Sequence, residues 1–177
     1  MDRLNLKKFN TSDFDNFFEL MEEAFPSIER RNYEDQKELL DEIEYEIIVN
    51  KNEKQSINAF LANWKFNEFN FIEHFAVAKE LRGHGLGSLM LKDYLSKSNK
   101  LIFLEVELPQ DKTSIKRLEF YERLGFYLND FYYLQPPMQK QYDFLPLKVM
   151  SYPRAVDNSE FIKFKNIVYD KVYKVNA

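Results

Sequence analysis

"ELRGHGLGSLMLKDYL", residues 80–95, holds Gly83, Gly85 and Gly87 at alternate positions, three of the four glycines in a chain of 177 residues. Glycine accepts positive φ and lets other groups come close to the backbone. Three of them in five residues mark a place from which side chains are excluded. The stretch after them is helical in spacing, since Leu86, Leu89, Met90 and Tyr94 fall three to four apart. The stretch before them, "FNFIEHFAV" (69–77), is strand-like in composition. A strand, a glycine turn and a helix start together make an anion site. The first amides of a helix have no internal partner and lie at the positive end of its dipole. Glycines let a phosphate reach them without meeting a Cβ. No Ser, Thr, Asp or Asn stands at the expected cap, which leaves that role to an external anion, and Arg82 adds positive charge at the mouth.

Two other glycine loops do not fit. A Walker loop ends in Gly-Lys-Ser/Thr, whereas this stretch reads Gly87-Ser88-Leu89. A dinucleotide fingerprint starting at Gly83 needs a further glycine where Ser88 stands.

Outward from the loop, the periods alternate. Residues 2–9 read as a strand, and "TSDFDNFFELMEEAF" (11–25) as a helix with Thr11 and Ser12 as candidate caps. "YEDQKELLDEI" (33–43) is a second, acidic helix. Strand-like runs over about 44–49, 57–66 and 69–78 have short polar connections, which favours an antiparallel meander. "LIFLEVEL" (101–108) is a mostly buried strand, and the helix after it closes at Gly125. A pair of strands, "FYLNDFYYL" and "LPLKVMSY", flanks an interruption at Pro136 and Pro137. The chain ends in a helix with Asp157 and Glu160 at capping-box spacing and Phe161, Phe164 or Lys165, Val168 and Val172 on one stripe. The order βααβββαβαββα predicts an α+β fold, one layered sheet with helices on both faces, in a single domain over 1–177 with a core to about 150 and a C-terminal helical extension.

Composition narrows the function. The chain is 45% hydrophobic and carries a net charge of −4, so neither disorder nor a general attraction to nucleic acid or anionic membrane is expected. It has no cysteine and two histidines, which removes thiol chemistry and makes a zinc site improbable. No apolar run has the length of a membrane span, and the expected location is cytoplasmic.

In this context "Arg82-Gly-His-Gly85-Leu-Gly87" resembles the Arg/Gln-x-x-Gly-x-Gly/Ala signature of the GNAT superfamily of acyl-CoA-dependent N-acetyltransferases. "IEHFAVAKELRGHGLGSLML" is similar to that family's fourth strand, pyrophosphate loop and third helix. "LEVELPQDKTSIKRLEFYERLGF" (104–126) is similar to its fifth strand and the following helix, with the Phe-Tyr-Glu-x-x-Gly-Phe ending. The resemblance implies a mixed, mostly antiparallel sheet whose central strands splay apart. It implies acetyl-CoA as cosubstrate, with the pyrophosphate on the amides of Arg82, Gly83, His84, Gly85, Leu86, Gly87 and Ser88. It also implies a pantetheine arm beside the backbone of Phe75, Ala76 and Val77. Where the family often has an asparagine touching that arm, this chain has Ser114.

Acetyl transfer to an amine needs a neutral nucleophile, a stabilised oxyanion and a leaving thiolate. Tyr121 matches the family's general acid; a packed core tyrosine is the alternative. Glu73, placed by alternation on the face of Phe71, Phe75 and Val77, is one candidate base, with burial among aromatic rings to favour proton uptake. Glu105 is the other, matching a glutamate of some protein-acetylating members, or else a structural partner. His74 is expected to face the other way as a satisfied buried histidine, and His84 to offer backbone only. The acidic residues around 34–46 either attract a cationic amine or form a solvated face, and residues 136–177 either shape the acceptor pocket or form a homodimer contact. An N-acetyltransferase acting on a primary amine of a small molecule or peptide is thus expected, with a non-catalytic acyl-CoA-binding sensor or interaction module as the alternative.

Overall fold

Alternation in the first half of the chain becomes four strands, and the helical spacings around them become three helices. The computed structural model describes residue 4 and residues 6–176. The first strand is β1, Leu6–Lys8; residues 2, 3 and 5 of the expected strand lie outside the described residues. Then come α1 (Phe14–Ala24), α2 (Tyr33–Glu38), β2 (Tyr45–Lys51), β3 (Ile57–Lys65), β4 (Phe69–Val77) and α3 (Leu86–Ser96). These elements form one compact unit, up to Asn99, and a second unit begins at Lys100.

Two boundaries differ from the sequence reading. Thr11 and Ser12 lie inside a 3-10 turn, Thr11–Asp13, and α1 starts only at Phe14. The acidic segment is α-helical only as far as Glu38, after which a 3-10 turn, Leu39–Asp41, ends it.

In the first unit β1, β2, β3 and β4 pair in order, each antiparallel to the next. Residues of β3 sort cleanly onto two faces. Phe60 meets Phe17 of α1 at 4.7 Å between ring centroids, and Trp64 on the same face meets Tyr45. Asn63, of opposite parity, accepts from the Tyr94 hydroxyl of α3 at 3.0 Å. Helices therefore cover both faces. Phe14, Phe17, Phe18 and Met21 of α1 are all buried, each contributing about 1.5–3 kcal/mol of burial.

The second unit contains β5 (Leu101–Glu107), α4 (Lys112–Arg123), β6 (Tyr127–Gln135), β7 (Leu145–Tyr152) and α5 (Asn158–Lys171). β7 lies between β5 and β6 and is antiparallel to both. The Asp157 and Glu160 capping box starts α5 as expected. Phe161, Phe164, Val168 and Val172 are the buried stripe, and Phe164 stacks on Phe103 of β5 at 4.4 Å. On the other face, Ile102 pairs with Tyr152, whose ring meets Phe126 and through it Tyr121 at the end of α4. Among the described residues no helix is long and apolar enough to cross a membrane.

Candidate active site

The glycine loop leaves β4 through a 3-10 turn, Lys79–Leu81, and reaches α3 with Gly83 at φ +82° and Gly85 at φ +86°. A Cβ at either glycine would meet open space. Their need is therefore for the left-handed backbone and not for close packing of the protein on itself. Gly85 is the N-cap of α3, and no side chain caps the helix. The first helical bond runs from Leu89 N to the Gly85 carbonyl, at 3.0 Å. This leaves the amides of Leu86, Gly87 and Ser88 without helical partners. Residues 82–85 are exposed. Arg82 bends back so that its Nε donates to the Val77 carbonyl at 2.9 Å, tying the loop to the end of β4. His84 sits exposed between the two left-handed glycines. Of the strand residues expected to flank a coenzyme arm, Ala76 is buried, and Phe75 and Val77 are half-buried.

Upstream, β4 carries a bulge. Ala62 pairs with His74 and Asn63 with Ile72, so Glu73 is an extra residue without a partner on β3. The bulge corrects the alternation argument. Glu73 shares a face with Phe71 and His74, while Phe75 and Val77 face α3. Glu73 is not set among rings alone. Its side chain is 0% exposed and is ion-paired with Arg31, Nη1 to Oε1 at 2.8 Å, while the Trp64 indole donates to Oε2 at 3.3 Å. His74 is buried, edge-on to Phe25 at 4.8 Å, with Nε2 at 2.8 Å from the Glu29 carbonyl. Its Nδ1 lies 3.8 Å from Glu73 Oε2. Burial pushes the imidazole pKa down, against the pull of Glu73 and the Glu29 carbonyl.

In the second unit, Tyr121 lies one turn before Gly125, which closes α4 at φ +97°. The ring is buried against Phe120 and Phe126. Burial, partly offset by Arg117, pushes the phenol pKa up to about 12. The hydroxyl makes no hydrogen bond to any described residue. Ser114 is differently placed. It is buried as the N3 member of the α4 cap, its amide donating to Asp111 Oδ1 at 2.8 Å and its hydroxyl hydrogen directed at Asp111 oxygens 3.0–3.1 Å away. Gln110 N and Asp111 N donate back to it at 3.1 Å. Its hydroxyl is thus fully used by the helix start.

Glu105 occupies the α5 face of β5, opposite the face of Tyr121. It accepts from Tyr133 at 2.7 Å, from Gln135 at 2.5 Å and from Tyr173 at 2.8 and 2.9 Å. Burial first, and then the Glu105 charge, hold the Tyr133 phenol well above its usual pKa, so it stays a donor. Sequence reasoning missed Arg31, Tyr133, Gln135 and Tyr173. Arg31 left one trace, the pair Arg30-Arg31 in an otherwise acidic stretch. Of the acidic residues, Glu34, Asp35, Glu38 and Asp41 are exposed, and Asp35 serves the cap of α2, its amide bonded to Asn32 Oδ1 at 2.8 Å. These four carboxylates therefore lie on a solvated face.

Residues 43–128 match the family model described as an acetyltransferase (GNAT) domain. Among solved structures, a chain from Bacteroides thetaiotaomicron assigned as an acetyltransferase of the GNAT family superposes with a TM-score of 0.87 at 30% identity, over 97% of this chain and 99% of that one. The ribosomal-protein-S18-alanine N-acetyltransferase of Escherichia coli shares the fold, with a TM-score of 0.62 at 17% identity over 87% and 96% of the two chains. A Bacillus subtilis protein assigned as the acetyltransferase YjbC is 38% identical over 114 residues, 63% of this chain. That match spans little more than half of the relative, 56% of its length.

Proposed function

Because the chain belongs to the GNAT family of acetyltransferases, we propose that it transfers the acetyl group of acetyl-CoA to a primary amine of a small molecule or peptide. The observation that carries this reading is the loop of left-handed glycines running into an uncapped helix. The coenzyme pyrophosphate lies on the free amides of Leu86, Gly87 and Ser88, in the field of the α3 dipole. The backbone of Phe75 to Val77 flanks the pantetheine arm.

Tyr121 is the general acid for the leaving thiolate. A phenol with a pKa near 12 keeps its proton at neutral pH, and one without a hydrogen-bond partner among the described residues is able to give it to sulfur. Of the two carboxylates, Glu73 is the base. Glu105 lies on the opposite face of its sheet from Tyr121 and is saturated by three donor side chains. Glu73 lies four residues upstream of Val77, roughly 13 Å along the strand, and takes the ammonium proton directly or across one water. Hydrogen bonds to a base are commonly made only once substrate is in place.

Release of CoA thiol from acetyl-CoA, followed across a panel of amines, tests the reading. At least one class of primary amine is expected to drive thiol release well above the rate without amine. Coenzyme binding with no release for any amine would replace the enzyme by an acyl-CoA-binding module.

A further inference from the structure

We propose that His74 Nδ1 receives the proton that Glu73 takes from the acceptor amine, an assignment that rests on the transferase reading above. In a regular strand adjacent side chains point to opposite faces. The bulge at Glu73 removes that alternation and brings Nδ1 of His74 to 3.8 Å from Glu73 Oε2. Bulges of this kind re-aim side chains. The tautomer follows from the other nitrogen. Nε2 lies 2.8 Å from the Glu29 carbonyl, which only accepts, so in the neutral ring Nε2 carries the hydrogen and Nδ1 the lone pair. That lone pair is buried and has no hydrogen-bond partner among the described residues. Buried acceptors are ordinarily satisfied, and this one faces a carboxylate, which has no hydrogen to offer until it is protonated.

The step balances without any further reactant. An N–H bond of the ammonium breaks, and its electron pair stays on nitrogen for attack on the thioester carbonyl. An O–H bond forms on Glu73 and passes its hydrogen to Nδ1. The resulting imidazolium donates from Nε2 to Glu29 and from Nδ1 back to Glu73, now a carboxylate again. The charged groups facing the ring are Glu73 on β4 and Arg31 on the segment between α1 and α2. Phe25 adds only an uncharged ring. Arg31 engages Oε1 of Glu73 and His74 approaches Oε2, so the two do not compete for one oxygen. His74 is thus a positioning residue that acts through Glu73.

Two variants separate this role from packing. His74→Gln places an amide nitrogen where Nε2 met Glu29 but leaves nothing at Nδ1. It should keep the wild-type Tm and acetyl-CoA affinity, lower kcat/KM about tenfold or more at neutral pH, and move the acidic limb of the pH profile. His74→Asn, with an oxygen near the Nδ1 position and no contact to Glu29, should lose stability instead. Imidazole ¹⁵N NMR supplies a readout independent of turnover. The ring should be the Nε2–H tautomer, and Glu73→Gln should make it titrate at lower pH. A wild-type rate and profile in His74→Gln, or an Nδ1–H tautomer, would overturn the assignment. Absence of thiol release in the wild type would sink the transferase reading instead, and the NMR coupling would still be measurable.

Discussion

Tyr121→Phe should lower kcat by about 10²–10⁴-fold, the range for a lost general acid or base, with fold and acetyl-CoA affinity unchanged. The substitution removes one oxygen from a ring that is otherwise held by Phe120 and Phe126. Because the hydroxyl bonds to no described residue, its removal leaves no protein donor or acceptor unpaired. A core tyrosine selected for packing would ordinarily find its hydroxyl a partner. The measurement is kcat with the best amine from the panel, under conditions where chemistry limits the rate. Wild-type turnover there would reduce Tyr121 to a packing role.

Arg31→Met should destabilise the protein by about 3–5 kcal/mol, the usual cost of removing one partner from a buried ion pair. The Glu73 side chain is fully buried and that of Arg31 nearly so. The loss therefore comes mainly from a carboxylate left in a low-dielectric interior without its cation. Arg31→Met with Glu73→Leu should recover most of the stability, since two apolar side chains can replace a buried pair. Urea unfolding of the single and double variants checks this. Equal loss in both would mean that the pair itself adds stability beyond mutual compensation.

The fold was legible because period and punctuation agree with tertiary structure over most of the chain. The change from alternation in 69–77 to helical spacing after Leu86 marks β4, the loop and α3, and Asp157 with Glu160 marks the start of α5. The glycine loop was legible for the same local reason, since positive φ at Gly83 and Gly85 is a backbone demand that few other residues meet. The surroundings of Glu73 were not. A bulge is decided by how β4 pairs with β3, and nothing in "FIEHFAV" says which residue will be the extra one. Arg31 reaches Glu73 from a segment 42 positions earlier in the chain. Glu105 illustrates the same limit, because its partner Tyr173 is 68 residues away. The part Ser114 plays in the α4 cap was obscured for another reason. Asp111 and Ser114 stand at cap spacing, the local signal for a helix start, while the family resemblance bears on the same serine as a coenzyme contact.

Calorimetric titration of the wild type and of Ser88→Glu with acetyl-CoA tests the coenzyme site most directly. Ser88 is the better position to change, because any side chain at Gly85 would be strained at φ +86°. A glutamate in the first turn of α3 suits the helix dipole, so folding should be preserved. Its charge stands where the pyrophosphate belongs, and like charges 4 Å apart repel by about 4 kcal/mol at an effective dielectric near 20. The wild type should bind one acetyl-CoA per chain, and at about a hundred times the dissociation constant the coenzyme should add roughly 2.7 kcal/mol of stability. Ser88→Glu should bind on the order of a thousandfold more weakly. A folded Ser88→Glu that binds acetyl-CoA as tightly as the wild type would contradict the placement of the coenzyme on this loop.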